Sequence, residues 1–353
     1  MKSTVHTSKE YDVILQKGVL QSVPPILYDH FGKVKYVIVS DSTVAELYGK
    51  KLLTDLNNAG NESYLYVLPE GEKGKNVNNA LDLIFFISKK QFTRSDIVIA
   101  LGGGVTGDIA GFCSSVYMRG IRYVQIPTTL LADVDSSIGG KTGVNTDYGK
   151  NIIGSFRQPS LVIIDTDCLK TLSQKEFLCG VGEIIKYSVL SDKPQAERLK
   201  NGISAEDEDL ESIISECIEY KKAIVEADEF DEKGIRNVLN LGHTFAHAIE
   251  KLSDYSVQHG FAVATGVCIA CSISVYLGIL SPEKANGIRD VVSSLGFETK
   301  TDYPADILVE AMTSDKKRKD RKILLVLPKE SGGCIEKSFE KSELTELLSK
   351  ANV

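Results

Sequence analysis

The chain is 353 residues long, 42% apolar and 25% charged, with 41 Lys+Arg against 48 Asp+Glu and a net charge of -7. At roughly 150 residues per domain this length predicts two domains. The composition excludes a disordered chain, a collagen-like repeat and a small disulfide scaffold, and the acidic balance argues against a nucleic-acid surface.

Short β-rich apolar runs recur through the first half: YVIVS at 36–40, YLYVL at 64–68, IVIAL at 97–101, YVQI at 123–126 and LVIID at 161–165. Helical patterns such as STVAELYGKKLLTDLNNAG and NVNNALDLIFFISKKQF lie between them. This alternation predicts a parallel sheet covered by helices on both faces, with ligands beyond the carboxyl ends of the strands. Asp41 follows the first run, where a carboxylate can accept ribose hydroxyls. PEGEKGK at 69–75 follows the second. Gly102-Gly103-Gly104-Val105-Thr106-Gly107-Asp108 follows the third and opens an apolar helix. Its glycines would let the backbone approach a pyrophosphate at a helix N-terminus. Three such strand ends on one sheet edge suggest a dinucleotide. The segment 127–154 reads as a long irregular stretch in which Lys141, Lys150 and Asn151 could meet a phosphorylated or carboxylated substrate.

After about residue 172 the pattern turns helical, through SQKEFLCGVGEIIKYSVL, AEDEDLESIISECIEYKKAIVEAD, LNLGHTFAHAIEKL and the run 261–280, with one late β-run, ILLVLP, at 323–328. The expected division is an α/β domain over 1–172 and a mainly α-helical domain over 173–353. The run 261–280 is uncharged and long enough to span a bilayer. Its two Gly, two Ser, one Thr and two Cys, without basic flanks, point instead to a helix buried in a core. No membrane partner is expected. KKRKDRK at 316–322 reads as a solvated or anion-binding loop. The seven cysteines are odd in number and irregular in spacing, and no apolar leader segment is visible, which predicts reduced thiols in the cytoplasm.

Five histidines occur, three of them within 17 residues: His243, His247 and His259. His243 and His247 stand at i, i+4, on one helix face, and Glu183 lies on an earlier helix with Lys186 one turn away. Two imidazoles and a carboxylate suit a catalytic zinc. Spacing alone favours His243 and His247 as the pair, with His259 as a third candidate. Arg236, Asn240 and Lys221-Lys222 add positive and polar groups that suit a small polyanion. If the helix of His243 already begins at Arg236, two turns place both residues on roughly the same face.

ALGGGVTGDIAGF, YMRGIRYVQIPTTLLADVDSSIGGKTGVN, GVGEIIKY, NLGHTFAHAIE, HGFAVATG and SDKK…LP resemble, in this order, the successive signatures of the 3-dehydroquinate synthase family. The resemblance runs from about residue 36 to about 328. It implies a Rossmann-like NAD domain followed by a helical Zn²⁺ domain (Co²⁺ being the alternative ion) and a homodimer. The implied activity converts 3-deoxy-D-arabino-heptulosonate 7-phosphate to 3-dehydroquinate and phosphate, in the shikimate pathway. It proceeds by transient oxidation, phosphate elimination, reduction and aldol closure. Carried over by motif, the zinc ligands are Glu183, His243 and His259, and His247 moves to the substrate phosphate. Asp135, Lys141, Asn151, Lys186, Lys221, Arg236 and Asn240 match the substrate site, with Lys316 or Lys317 meeting phosphate and Arg119 reaching the partner subunit's substrate. Asp41, Glu72, Lys75, Gly103, Gly104, Asp108, Thr128, Thr129, Lys150 and Thr171 match the NAD contacts. Phe261 stands where the family usually carries an acidic residue, which removes the expected support beside His259. The alternatives are another sugar-phosphate cyclase, such as 2-deoxy-scyllo-inosose synthase, or a metal-dependent polyol dehydrogenase.

Overall fold

The computed structural model describes residues 1–191, 198–313 and 322–351. It contains two compact units, Met1–Ser173 with Glu208–Phe230, and Gln174–Asp207 with Asp231–Val353.

In the first unit, seven strands form one sheet: β1 (Lys2–Val5), β2 (Tyr11–Leu15), β3 (Tyr36–Asp41), β4 (Ser63–Leu68), β5 (Ile97–Gly102), β6 (Arg122–Pro127) and β9 (Leu161–Ile164). Their order is β1-β2-β9-β6-β5-β3-β4, parallel throughout except for β1, which pairs antiparallel with β2 at the edge. The central strands are apolar at successive positions because both faces are covered. Val37, Val39, Val98 and Ala100 pack on one side with Leu83 and Ile109. Ile38, Ile97, Ile99 and Val124 pack on the other with Leu27, Leu52 and Leu56. The two short N-terminal strands are an addition to the sequence reading. YDVIL alternates buried and half-buried positions and carries Asp12, which cuts its continuous apolar run to three residues.

Chain direction across the sheet reverses at β3. The chain moves outward from β3 to β4, then crosses back to place β5 on the other side of β3. Such a reversal leaves a crevice outside the carboxyl ends of the two strands. Asp41 ends β3 and Gly102 ends β5, so both stand at that crevice.

The segment read as irregular is largely a β-hairpin, β7 (Lys141–Thr146) with β8 (Gly149–Phe156). Its glycines hide the strand pattern in the sequence, and the structure shows their purpose. A β-carbon on Gly143 would stand 3.0 Å from the Ile153 carbonyl, and one on Gly154 would stand 2.5 Å from that of Thr142. The helix Leu210–Ala227 also departs from the expected division at residue 172, grouping with the first unit. Thr166 Oγ1 donates to Glu211 at 3.1 Å and Lys221 is anchored on Asp135, so polar ties as well as an apolar face hold it there.

The second unit is built on the helices Gln174–Ser191, His243–Leu252, His259–Tyr276, Pro282–Ser294, Ala305–Thr313 and Lys341–Lys350, with one hairpin of β10 (Ile323–Pro328) and β11 (Cys334–Phe339). The sequence reading missed β11, because CIEKSF exposes three successive polar residues, Glu336, Lys337 and Ser338, and so lacks an apolar run. The helix His259–Tyr276 is long and apolar enough to cross a membrane, but most of it is buried inside this unit. Cys268 and Cys271 are free thiols on it, both buried.

Glycines allow the three innermost helices to touch backbone to backbone. A β-carbon on Gly182 would overlap the Gly260 carbonyl, one on Gly260 the Cys179 carbonyl, and one on Gly266 the Gly242 carbonyl. Gly260→Ala is therefore expected to destabilise the protein by about 1–3 kcal/mol or more, since backbone cannot move aside as a side chain can. The check is the melting temperature of the metal-free variant, and an unchanged value would show that the helices can separate freely.

Candidate active site

The carboxyl edge of the first unit's sheet collects most of the residues matched to NAD. The helix Gly104–Val116 starts directly after β5, with Gly103 in the N-cap position. Thr128, at the end of β6, donates its backbone N–H to the Gly102 carbonyl at 3.1 Å. Lys75 is buried and pairs with Asp108 at 2.5 Å. Burial pushes the Asp108 carboxyl up despite that lysine. Asp41 has a structural task as well, because its Oδ1 accepts from Val44 N–H at 2.9 Å and caps the following helix. Thr171 hydrogen-bonds the Tyr48 hydroxyl at 2.7 Å, which ties the segment after β9 to the one after β3.

The hairpin joins the same edge. Asn145 donates its side-chain amide to Glu72 at 2.7 Å, and its Oδ1 accepts from Asn151 N–H at 3.0 Å. Lys141, Lys150 and Asn151 are exposed on this hairpin. Arg119 lies elsewhere. It is exposed beyond the carboxyl end of the Gly104–Val116 helix, a 13-residue element that carries the chain about 20 Å from the glycine turn.

Asp135 and Lys221 meet directly. The lysine Nζ donates to the Asp135 carbonyl at 2.7 Å and to its carboxylate at 2.8 Å. Lys222 instead donates to Ser3 at 2.9 Å near the surface, so of the two neighbouring lysines Lys221 is the buried one. Two residues before Asp135, Asp133 is fully buried, and its carboxyl oxygens have no hydrogen-bond partner among the described residues. Burial first, and Asp165 second, push its carboxyl well above the ordinary range. A folded-state pKa above the unfolded one gives stability that is full below the unfolded value and lost as pH rises toward the folded one. Asp133→Asn should therefore raise the melting temperature at neutral pH, by about 2–4 °C for each kcal/mol no longer lost to keeping the buried carboxyl protonated. The gain should vanish in acid. Equal gains at both pH values would show that charge plays no part.

In the second unit, donor atoms of Glu183, His243 and His259 all lie within 4.8 Å of one another. Glu183 is fully buried on the Gln174–Ser191 helix. Its Oε1 faces His259 Nε2 at 3.1 Å and His243 Nε2 at 3.6 Å, while its Oε2 pairs with buried Lys186 at 2.7 Å. His243 Nδ1 lies 3.2 Å from the Leu241 carbonyl, which can only accept, so the proton sits on Nδ1 and the Nε2 lone pair faces Glu183. Burial holds the His243 pKa down at about 3 against the attraction of Glu183. Burial also disfavours the charged form of His259, but the hydrogen bonds its ring donates to Glu183 and Glu250 outweigh it and push that ring up to about 10. One carboxylate and two imidazoles converging this closely form a donor set that fits a catalytic zinc with an open position.

His247 is not in that group. Its ring is exposed, 5.7 Å from that of His243 and 6.1 Å from that of His259 between centroids. The i, i+4 pair favoured by spacing alone is thus not the pair the fold converges on Glu183. Arg236 is buried, while Asn240 is exposed, and both lie on a 3₁₀ helix, Ile235–Asn240, rather than on the helix of His243. Gly242, at φ 77, separates the two elements, so the expectation of one continuous helix is corrected. Phe261 packs its ring 5.0 Å from that of Phe297 and offers His259 nothing polar. Glu250, which the sequence reading did not single out, stands beside His259 instead. Its seven-residue spacing from His243, two helical turns, is the signal that could have found it. Lys316 and Lys317 lie outside the described residues.

The family model for the 3-dehydroquinate synthase N-terminal region matches residues 65–179, and that for the C-terminal region matches 180–318. The 3-dehydroquinate synthase of Lactococcus lactis subsp. cremoris is 42% identical over 349 residues, covering 96% of this chain and 97% of its own. Among solved structures, 2-epi-5-epi-valiolone synthase from Streptomyces hygroscopicus subsp. jinggangensis, with NAD⁺ and Zn²⁺ bound, has a TM-score of 0.88 at 25% identity, over 100% of this chain and 99% of that one. 2-Deoxy-scyllo-inosose synthase, complexed with carbaglucose-6-phosphate, NAD⁺ and Co²⁺, shares the fold with a TM-score of 0.87 at 22% identity, over 99% of this chain and 100% of that one. With both family regions matched and identity sustained along nearly the whole chain, this chain belongs to the 3-dehydroquinate synthase family.

Proposed function

We propose that this chain converts 3-deoxy-D-arabino-heptulosonate 7-phosphate to 3-dehydroquinate and phosphate, as a phosphate-eliminating lyase with NAD and a divalent metal as its resident groups. The observation that carries the reading is the buried Glu183–His243–His259 cluster with Lys186 against it. Glu183, His243 and His259 would hold the metal. NAD would lie on the sheet edge of the first unit, its pyrophosphate on the free amides that open the Gly104–Val116 helix. When bound, NAD would take up and return a hydride within each turnover, and the metal would act as a Lewis acid toward substrate hydroxyls.

The chain's own residues bind and orient. Arg236 supplies a planar guanidinium for a carboxylate, whose two oxygens match its fork. His247, exposed next to the cluster, donates a ring N–H to a phosphate oxygen. Lys186, held by Glu183, keeps a positive charge beside the buried carboxylate, which balances that charge before substrate arrives. The Asp135–Lys221 pair orients a hydroxyl, with the aspartate accepting and the lysine donating. Lys141, Lys150 and Asn151 present polar groups from the hairpin, and Lys316 or Lys317 adds a further phosphate contact. Arg119, far from the glycine turn in its own chain, reaches the substrate of a partner subunit in a homodimer. Seven free cysteines fit a cytoplasmic enzyme. Residues 1–172 would carry the nucleotide chemistry, and the second unit would carry the metal.

The test is phosphate release from the heptulosonate phosphate with NAD far below substrate concentration. Release with no net NADH is expected. A requirement for stoichiometric NAD, or accumulating NADH, would point to a polyol dehydrogenase. Equal turnover of a sugar phosphate lacking the carboxylate would point to another sugar-phosphate cyclase.

A further inference from the structure

His259 is the first residue of its helix, with Gln258 as N-cap, and its side chain is 30% exposed. The backbone there is fixed by the close approach of Gly260 to Cys179, whose Sγ also accepts from Gly260 N–H at 3.3 Å. Fixed backbone does not fix the ring. The terminal torsion of histidine is broad and roughly two-fold, so a half-turn would exchange ring nitrogens for ring carbons at little steric cost. His243 solves the same problem with the backbone carbonyl of Leu241, two residues away. His259 has a carboxylate from another helix. Glu250 Oε2 lies 3.3 Å from His259 Nδ1, on the ring edge opposite the Nε2 that faces Glu183.

Glu250 is itself buried, at 5% exposure, on the His243–Leu252 helix. It stands seven residues after His243, so two helical turns bring both to one face of that helix. We infer that Glu250 is a positioning residue, which locks His259 with Nδ1 protonated and Nε2 turned toward Glu183 and His243. A carboxylate in this place does two things a carbonyl does less well. It fixes the tautomer, and its negative charge makes the opposite nitrogen a better donor to a cation. The inference rests on the metal reading of the Glu183–His243–His259 cluster. His247, Glu250 and His259 also bring donor atoms within 4.8 Å of one another, which offers a competing role for Glu250 as a ligand of a second ion. The two roles exclude each other, since the hydrogen bond needs a proton on Nδ1 and a metal bond needs that proton gone.

The experiment measures zinc affinity by competition with a chelator, and zinc per chain, for the wild type, Glu250→Ala, Glu250→Gln and His243→Ala, alongside the melting temperature of each metal-free protein. Glu250→Ala should bind zinc about 10- to 100-fold more weakly. Glu250→Gln, whose amide oxygen still accepts from Nδ1–H, should lose less and should melt like the wild type without metal. Unchanged zinc affinity in Glu250→Ala would overturn the inference. So would a loss in both variants that only tracks lowered melting of the metal-free protein. Two zinc ions per wild-type chain, reduced to one of unaltered affinity in Glu250→Ala, would overturn it in favour of a second site. If His243→Ala also keeps wild-type zinc affinity, the metal reading fails, and not merely the role of Glu250.

Discussion

His243→Ala and His259→Ala should each strip tightly bound zinc from the purified enzyme and reduce phosphate release to background, while His247→Ala should keep zinc and lose turnover. A site with three protein ligands loses a third of its donor atoms with either of the first two. The loss is compounded because Glu183, fully buried, would retain its charge with fewer counterweights. His247 differs because its ring is exposed and shares no donor group with Glu183. Zinc per chain, activity and circular dichroism together decide the matter. Equal zinc loss in all three folded variants would restore the i, i+4 pair as ligands.

Arg236→Lys should lower kcat/KM by roughly 10- to 150-fold, equivalent to about 1.5–3 kcal/mol for one charged hydrogen bond, with zinc and NAD occupancy unchanged. Lysine keeps the charge but brings a point donor where the guanidinium offers a fork. The position is unforgiving, because Arg236 is 3% exposed on a short 3₁₀ helix and its buried surroundings leave a replacement side chain little room to find another path. A substrate analogue without the carboxylate should discriminate far less between wild type and variant. Equal losses with both compounds would remove Arg236 as the carboxylate anchor.

The inner strands of the first unit were legible in the sequence because a strand buried on both faces must be largely apolar, and 36–39, 97–101 and 161–164 are apolar at every position. The glycine turn after β5 was legible for the same kind of local reason, since its φ values and its helix start depend on neighbours in sequence. Three histidines in a chain with five also announced a site. The hairpin 141–156 was not legible, because its glycines serve contacts across the strand pair and weaken the local β pattern. Nor was the attachment of Leu210–Ala227 to the first unit, as an amphipathic helix records that it has a buried face and not which partner covers it.

Local spacing could not choose among the histidines; the family motifs pointed to His243 and His259, and tertiary structure supplies the physical reason. Spacing places His243 and His247 on one face, yet a step of four residues turns the helix by about 40° past a full circle, enough to aim one ring at Glu183 and the next toward solvent. His259 comes from the next helix and Glu183 from one far earlier in the chain. They meet because Gly182 and Gly260, their immediate neighbours, let two helix backbones touch where any side chain would hold them apart. The sequence by itself determined which donors exist. Only packing at that contact decided which of them point at the same place, because the relevant distances run across helices and not along them.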